Sequence, residues 1–188
     1  MEIKTLEDIF TLAKQYECRT IAITAAHERS VLKAAVMAHE QRLATPLFFG
    51  NKEQILSLAK DNNLPITETQ VIHAEDEIQS AQHAVQAVRQ GKADMIMKGY
   101  IQSDDFLRAV LDREYGLRQS NVIMSHVSLC QSKQTGKLLL ITDAGMNIAP
   151  DLIQKAQIIL NALYLANILG IQVPRVAVLA AVEVVNPK

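Results

Sequence analysis

Tryptophan is missing altogether and only 4% of the residues are aromatic, so the chain offers few flat rings on which unpaired bases could stack. Nor does it carry a field for nucleic acid or an anionic membrane, since 19 basic and 20 acidic residues leave a formal net charge of −1. The two cysteines, Cys18 and Cys130, stand far apart, with neither C-x-x-C spacing nor the density of a disulfide scaffold. This usage points to a reduced, cytoplasmic protein. No apolar run approaches the length that spans a bilayer, and Met1-Glu2-Ile3-Lys4 lacks the basic-then-apolar opening of a signal peptide.

Several chemistries are missing for want of spacing. No G-x-G-x-x-G follows a strand pattern and no G-x-S-x-G supplies a nucleophile elbow, which argues against a dinucleotide site and an α/β-hydrolase. His27, His39, His73, His83 and His126 include no H-x-x-x-H pair and no cysteine partner at ligand spacing, so no zinc site is expected. Gly136-Lys137 is not a phosphate-binding P-loop, because Gln131 stands where the first glycine belongs and Leu138 replaces the magnesium-binding hydroxyl. Asp143, Asn147 and Asp151 are better explained by turn and cap chemistry than by a metal.

What is present is an apolar fraction of 49% in 188 residues, enough for a substantial core. Short apolar runs alternate with helical periodicity. Strands are predicted at Thr20–Ile23, Pro46–Phe49, Val71–Ile72 and Asp94–Met97. Between them run helices from Leu6, from Val31 to about Gln41, from an Asn51 cap, and from Glu75 to Gln90 with Ile78 turned inward. This β-α-β-α order implies an α/β fold, a mostly parallel sheet with helices on both faces. Lys98-Gly99 falls at the exit of one strand and Ser103 at the cap of the next helix, a pairing of cation and helix amides that suits phosphate. The competing reading makes Lys98 a solvated loop lysine and Ser103 only a cap. Asp104 and Asp105 in the first turn would repel a dianion, and Arg108 at helical spacing can pair with either.

In the last third, Val122-Ile123-Met124 leads into a strand through Ser125-His126-Val127-Ser128, and a polar turn over Gln131–Gly136 leads into Leu138–Ile141, read as a strand covered on both faces. Ser125 and His126 can hydrogen-bond a phosphoryl oxygen, although a lone histidine on such a strand is also explained structurally. The elbow Thr142–Asn147 collects polar groups, a helix begins about Pro150-Asp151 and closes at Gly170, and Val176–Val182 reads as another buried strand that ends near Glu183, Asn186 and Pro187. Asp143 reads as an orienting carboxylate, and Arg175, at a strand start, lies at the end opposite the usual ligand-binding exits.

The blocks TDAGMN, PDLIQKAQIILNA, LGIQVPRVAVLAAVEVVNPK, MKGYIQSDDFLRAVL and NVIMSHVSL resemble the phosphate acetyl/butyryltransferase family, its butyryltransferase branch in particular, and the resemblance runs from about Thr5 to Lys188. It implies the two-domain architecture of the isocitrate/isopropylmalate dehydrogenase type, with residues 1–120 as a first α/β/α domain and 121–188 as the beginning of a second. The chain would then correspond to the N-terminal two-thirds of such an enzyme. The implied reaction is acyl-CoA plus phosphate to acyl phosphate plus CoA, in a cleft between the domains. Coenzyme A would be a substrate, with no metal or organic cofactor and a homo-oligomeric assembly. Lys98, Gly99, Ser103, Ser125, His126, Asp143, Asn147 and Arg175 become candidates for binding phosphate or substrate. The catalytic groups that handle the thiol are expected beyond Lys188. Two other readings stay open: a non-catalytic relative that binds phosphate or acyl phosphate, and a dehydrogenase on the similar two-domain fold.

Overall fold

A computed structural model describes residues 3–118 and 122–180. The described residues fall into two compact units, one within 7–122 and one comprising the N-terminal residues to 6 with those from 123 onward.

The first unit is a four-stranded parallel sheet with strands β1 (Arg19–Ile23), β2 (Ala44–Gly50), β3 (Val71–His73) and β4 (Met95–Met97) in the order β3-β2-β1-β4. Around it run α1 (Leu6–Ala13), α2 (Arg29–Glu40), α3 (Lys52–Asp61), α4 (Glu77–Arg89) and α5 (Ser103–Val110). Neighbouring residues of a strand point to opposite faces, and both faces here are apolar. Ile23 and Phe48 pack with Leu32, Ala35, Ile55 and Ala59 of α2 and α3. Their neighbours Ala22 and Phe49 pack with Ala84 and Ala87 of α4 on the other face. Strands covered on both sides explain why the sequence shows apolar runs instead of alternation.

Helix starts are set by side chains that satisfy otherwise orphan amides. Asn51 accepts from the Gln54 amide at 3.0 Å, as its position predicts, Asp76 accepts from the Gln79 amide at 2.7 Å, and Glu28 caps α2 by accepting from the Ser30 and Val31 amides. Two readings need correction here. Ser103 does not cap α5; Gln102 holds the extended cap position and makes no side-chain cap bond, so Ser103 is already helical. Ile78 is not inward but 51% exposed, because Ser80, Ala81, Ala84 and Val85 form the buried stripe of α4.

The second unit contains β5 (Val127–Gln131), β6 (Leu138–Thr142) and α6 (Leu152–Ile168). The two strands pair antiparallel, Leu129 facing Leu140, around a turn in which the Ser132 amide donates to the Lys137 carbonyl. This overturns the reading of Leu138–Ile141 as a doubly covered, parallel-type strand. Helix α6 packs on β6, yet Leu139 and Ile141 on alternate positions are half exposed, as one-sided cover dictates. The preceding strand begins at Val127, not at Ser125, since 122–126 pair with no strand. Asp151 caps α6 in a reciprocal box with Gln154, so the helix proper starts at Leu152, just after the Pro150-Asp151 expected. Residues 176–180 form no strand. Val176, Val178 and Leu179 are exposed, and an extended segment becomes a strand only with a ladder partner. The remainder of that expected strand, with Glu183, Asn186 and Pro187, lies outside the described residues.

Candidate functional site

The order β3-β2-β1-β4 reverses direction at β1. The chain steps outward from β1 to β2 to β3, then α4 carries it back to β4 on the other flank of β1. In open parallel sheets the crevice outside the carboxyl ends of two strands that diverge in this way is where ligands sit. Here those ends are Thr24–His27 after β1 and Lys98–Tyr100 after β4.

The two turns are locked to each other. The Gly99 amide donates to Thr24 Oγ1 at 3.3 Å and the Tyr100 amide to the Ala25 carbonyl at 3.0 Å. The approach is close enough to require glycine: a Cβ on Gly99 would stand 2.0 Å from the Thr24 carbonyl oxygen and 2.8 Å from that of Ala25. Lys98, on the exposed side, folds its ammonium onto the Ile101 carbonyl at 2.6 Å, which fixes the charge at the mouth of the crevice and leaves two of its N–H donors for a ligand. Helix α5 begins just beyond, with no side-chain cap on its first amides. Of the two carboxylates in that turn, Asp105 is neutralised by Arg108 at 3.0 Å while Asp104 stays exposed. His27 closes the other side, its ring edge-on to Tyr100 with centroids 5.7 Å apart and its Nε2 3.7 Å from Glu77 Oε1. Lys98, Gly99 and Ser103 are thus neighbours on one turn-helix segment. His27, Tyr100 and Thr24 join them through strand order, which no local spacing announced.

A second polar cluster forms in the other unit around Asp143. One carboxylate oxygen, Oδ1, accepts from the amides of His126 at 3.3 Å, Gly145 at 3.5 Å and Met146 at 3.1 Å, and Oδ2 accepts from Asn147 Nδ2. Burial alone would raise the Asp143 pKa, but the Asn147 amide and the three backbone N–H groups together hold it below the usual carboxylate range. The extended segment before β5 has no ladder, so side chains satisfy its carbonyls. Asn161 donates to Ile123, Asn147 to Met124, and Thr142 to His126. Asn161 also donates to Ser125 Oγ at 2.8 Å. Ser125, His126, Asp143 and Asn147 therefore stand together, with Asn161 and Thr142 as members that the sequence did not single out. Arg175 is exposed, in the strandless segment after Pro174.

A cavity of about 920 Å³ lies elsewhere, along α4 and α5 between Ile78, His83, Arg89, Arg108 and Tyr115. Its cations are spent internally, Arg89 on the Glu114 carbonyl and Arg108 on Asp105. Size alone does not make it the site. Among the described residues no three His, Cys, Asp or Glu side chains are grouped to hold a metal ion, and no helix is long and apolar enough to cross a membrane.

A family model described as phosphate acetyl/butaryl transferase matches residues 76–188. The chain is 34% identical to a phosphate butyryltransferase of Clostridium acetobutylicum, over 99% of its own length and 62% of that protein's. It is 35% identical to a phosphate acetyltransferase of Thermotoga maritima, over 90% of its length and 57% of the relative's. Among solved structures, a branched-chain phosphotransacylase from Enterococcus faecalis matches with a TM-score of 0.70 at 31% identity, across 90% of this chain and 58% of that one. A phosphotransacetylase from Streptococcus pyogenes, at 17% identity and a TM-score of 0.74 over 88% of this chain and 60% of that one, shares the fold. The chain spans about three fifths of the length of the curated relatives it matches.

Proposed function

The chain belongs to the phosphate acetyl/butaryl transferase family, and from that premise we propose that it carries the phosphate-holding part of an acyltransferase that interconverts acyl-CoA plus phosphate and acyl phosphate plus CoA. The observation that carries this reading is the Lys98-Gly99 turn: a fixed ammonium, at the switch point of a parallel sheet, opening onto the uncapped amides of α5. A phosphate oxyanion placed there meets one full positive charge and a helix N-terminus. Ser103 offers its amide and hydroxyl to the same anion.

Phosphate is the nucleophile in the acylating direction. One of its oxygens attacks the thioester carbonyl, and the thiolate leaves as the tetrahedral intermediate collapses. Such a step needs a held phosphate and donors for the developing oxyanion. Ser125 and His126 are assigned as such donors, since the hydroxyl proton of Ser125 and the exposed ring of His126 remain open to a ligand. Asp143 is assigned an orienting role: donors already occupy both of its oxygens, and a bare carboxylate would repel phosphate. Asn147 acts with it, and Arg175 adds a cation toward the anionic substrates. Coenzyme A is a substrate in this reading, and no metal or organic cofactor takes part. The architecture is assigned to the isocitrate/isopropylmalate dehydrogenase type, with a first domain over 1–120 and the start of a second over 121–188. The setting is taken as cytoplasmic, given two unpaired cysteines, and the assembly as homo-oligomeric.

Titration calorimetry with inorganic phosphate tests the central assignment. A charge-assisted contact contributes about 1.5 to 3 kcal/mol, so Lys98→Ala should weaken phosphate binding roughly ten-fold or more. Unchanged affinity in that variant would remove Lys98 from the site. Phosphate-dependent thiol release from butyryl-CoA separates a transferase from a relative that binds phosphate without turnover.

A further inference from the structure

Thr24 and Ser80 are the fully buried polar residues of the described chain, each 0% exposed. Neither hydroxyl satisfies a carbonyl of its own helix or turn. Ser80, on α4, donates to the Phe49 carbonyl of β2 at 2.9 Å and accepts from the Ala25 amide after β1 at 2.7 Å. Thr24 Oγ1 donates to the Met97 carbonyl of β4 and accepts from the Gly99 amide, both at 3.3 Å. With the Ala26 amide donating to Phe49, these bonds tie the exits of β1, β2 and β4 into one piece.

The sheet does not need these hydroxyls. The ladder already continues through the Thr24 amide to the Met97 carbonyl at 3.0 Å, and valine or alanine would fill the same apolar space without the desolvation that a buried hydroxyl costs. What the hydroxyls set is the shape of the turns. Ala25 sits at φ 43°, a conformation that disfavours a side chain. It is held there by Ser80 on its amide and Tyr100 on its carbonyl. Since Gly99 lies directly against the Thr24 and Ala25 carbonyls, any shift of the β1 exit is passed to the Gly99 backbone and the Lys98 side chain that precedes it.

We propose that Thr24 and Ser80 are positioning residues for anion binding. Their hydroxyls act through the Ala25 backbone and the Gly99 amide to fix the turn that presents Lys98 to phosphate. The inference rests on the phosphate-binding reading of that turn and assigns the residues that preorganise it.

The test titrates inorganic phosphate into the chain and its Thr24→Val, Ser80→Ala, Thr24→Ser, Lys98→Ala and Val71→Ala variants, each held well below its own melting temperature. Val71 is a buried residue of β3, the strand at the opposite edge of the sheet from β4, and has no bond to Thr24, Ser80 or Gly99, so Val71→Ala controls for lost core packing. Thr24→Val and Ser80→Ala should each weaken phosphate about five-fold or more, as expected for leaving a buried donor or acceptor unpaired. Thr24→Ser, which keeps the hydroxyl, should restore affinity, and the Gly99 amide resonance should move on phosphate addition in the parent chain and less in Thr24→Val. Val71→Ala should melt earlier yet bind as the parent does. Parental affinity in Thr24→Val and Ser80→Ala, with binding lost in Lys98→Ala, would overturn the positioning role and leave the phosphate site standing. Equal weakening by Val71→Ala would reduce both hydroxyls to general stability. Absence of phosphate binding by the parent, or its persistence in Lys98→Ala, would bring down the phosphate reading and this inference with it.

Discussion

Replacing Gly99 by alanine measures how tightly the two exit turns are packed. A Cβ at that position would lie 2.0 Å from the Thr24 carbonyl oxygen, 2.8 Å from the Ala25 oxygen and 3.2 Å from the Ala25 carbonyl carbon. All three are backbone atoms, so no side chain can rotate away. Heavy atoms in contact settle at about 3.5 Å or more, so the turns must part by about 1 Å or more. Thr24 cannot recede, because its amide is bonded to Met97 in the ladder. The Lys98–Tyr100 turn moves instead and gives up the Gly99–Thr24 and Tyr100–Ala25 bonds. Two lost hydrogen bonds at about 1 kcal/mol each, and overpacking at about 1 to 3 kcal/mol, outweigh the roughly 0.4 to 1 kcal/mol that alanine gains by restricting the unfolded chain. The net cost is about 3 kcal/mol, or roughly 10 °C in Tm for a chain of this size. Gly91→Ala is the comparison: Gly91 has φ +69° and no atom within 4 Å of its missing Cβ, so its penalty is conformational only, about 1 to 2 kcal/mol. Thermal unfolding followed by circular dichroism should rank the two variants in that order. If Gly99→Ala melts no earlier than Gly91→Ala, the close approach of the turns is wrong, and with it the argument that the β1 exit shapes the Lys98 turn.

The remaining expectations are smaller. Because the folded Asp143 carboxyl titrates below its ordinary range, its grip on the His126 and Met146 amides is complete above that range and fades as the pH falls through the lowered value. Amide exchange of Met146 should accelerate over that acid window in the parent and show no such titration in Asp143→Asn; a common acid profile would exclude the carboxylate as its cause. The Arg108–Asp105 pair is solvent-facing, with the Arg108 side chain 76% exposed, so Arg108→Ala should change stability by no more than about 0.5 kcal/mol in a denaturant melt. A larger loss would mean that Arg108 packs in a way its exposure does not show.

The parallel sheet was readable because its chemistry is unambiguous. Ala22-Ile23 and Phe48-Phe49 put consecutive apolar residues on two covered faces, and Asn51, Gly91 and Gly170 punctuate helices for reasons that need only local geometry. The same letters misled at Leu138–Ile141. An apolar run records what a segment could bury and is silent about what lies against it, and here α6 covers one face of β6 while Leu139 and Ile141 look outward. Val176–Ala180 makes the point from the hydrogen-bond side: β-branched residues favour an extended backbone, but a strand is a property of a pair.

The site divides along the same line between local and long-range information. Lys98, Gly99 and Ser103 could be picked out because a strand end, a glycine and a helix start follow one another within six residues. Ser80, Thr24, His27 and Tyr100 could not, for their partners lie 31 to 75 residues away where a hydrogen bond is involved, and a single serine in an alanine-rich helix carries no motif. What brings them together is the pairing of β4 with β1 instead of β3. Strand content alone does not encode that choice, since β3 and β1 present similarly apolar edges to an incoming strand. Once β4 is set beside β1, however, the placement of every exit residue follows from the parallel register, Ile23 opposite Met97, which leaves Thr24 next to Lys98 and no room for a side chain on Gly99. The glycine, the buried threonine and the exposed lysine are therefore consequences of one topological decision.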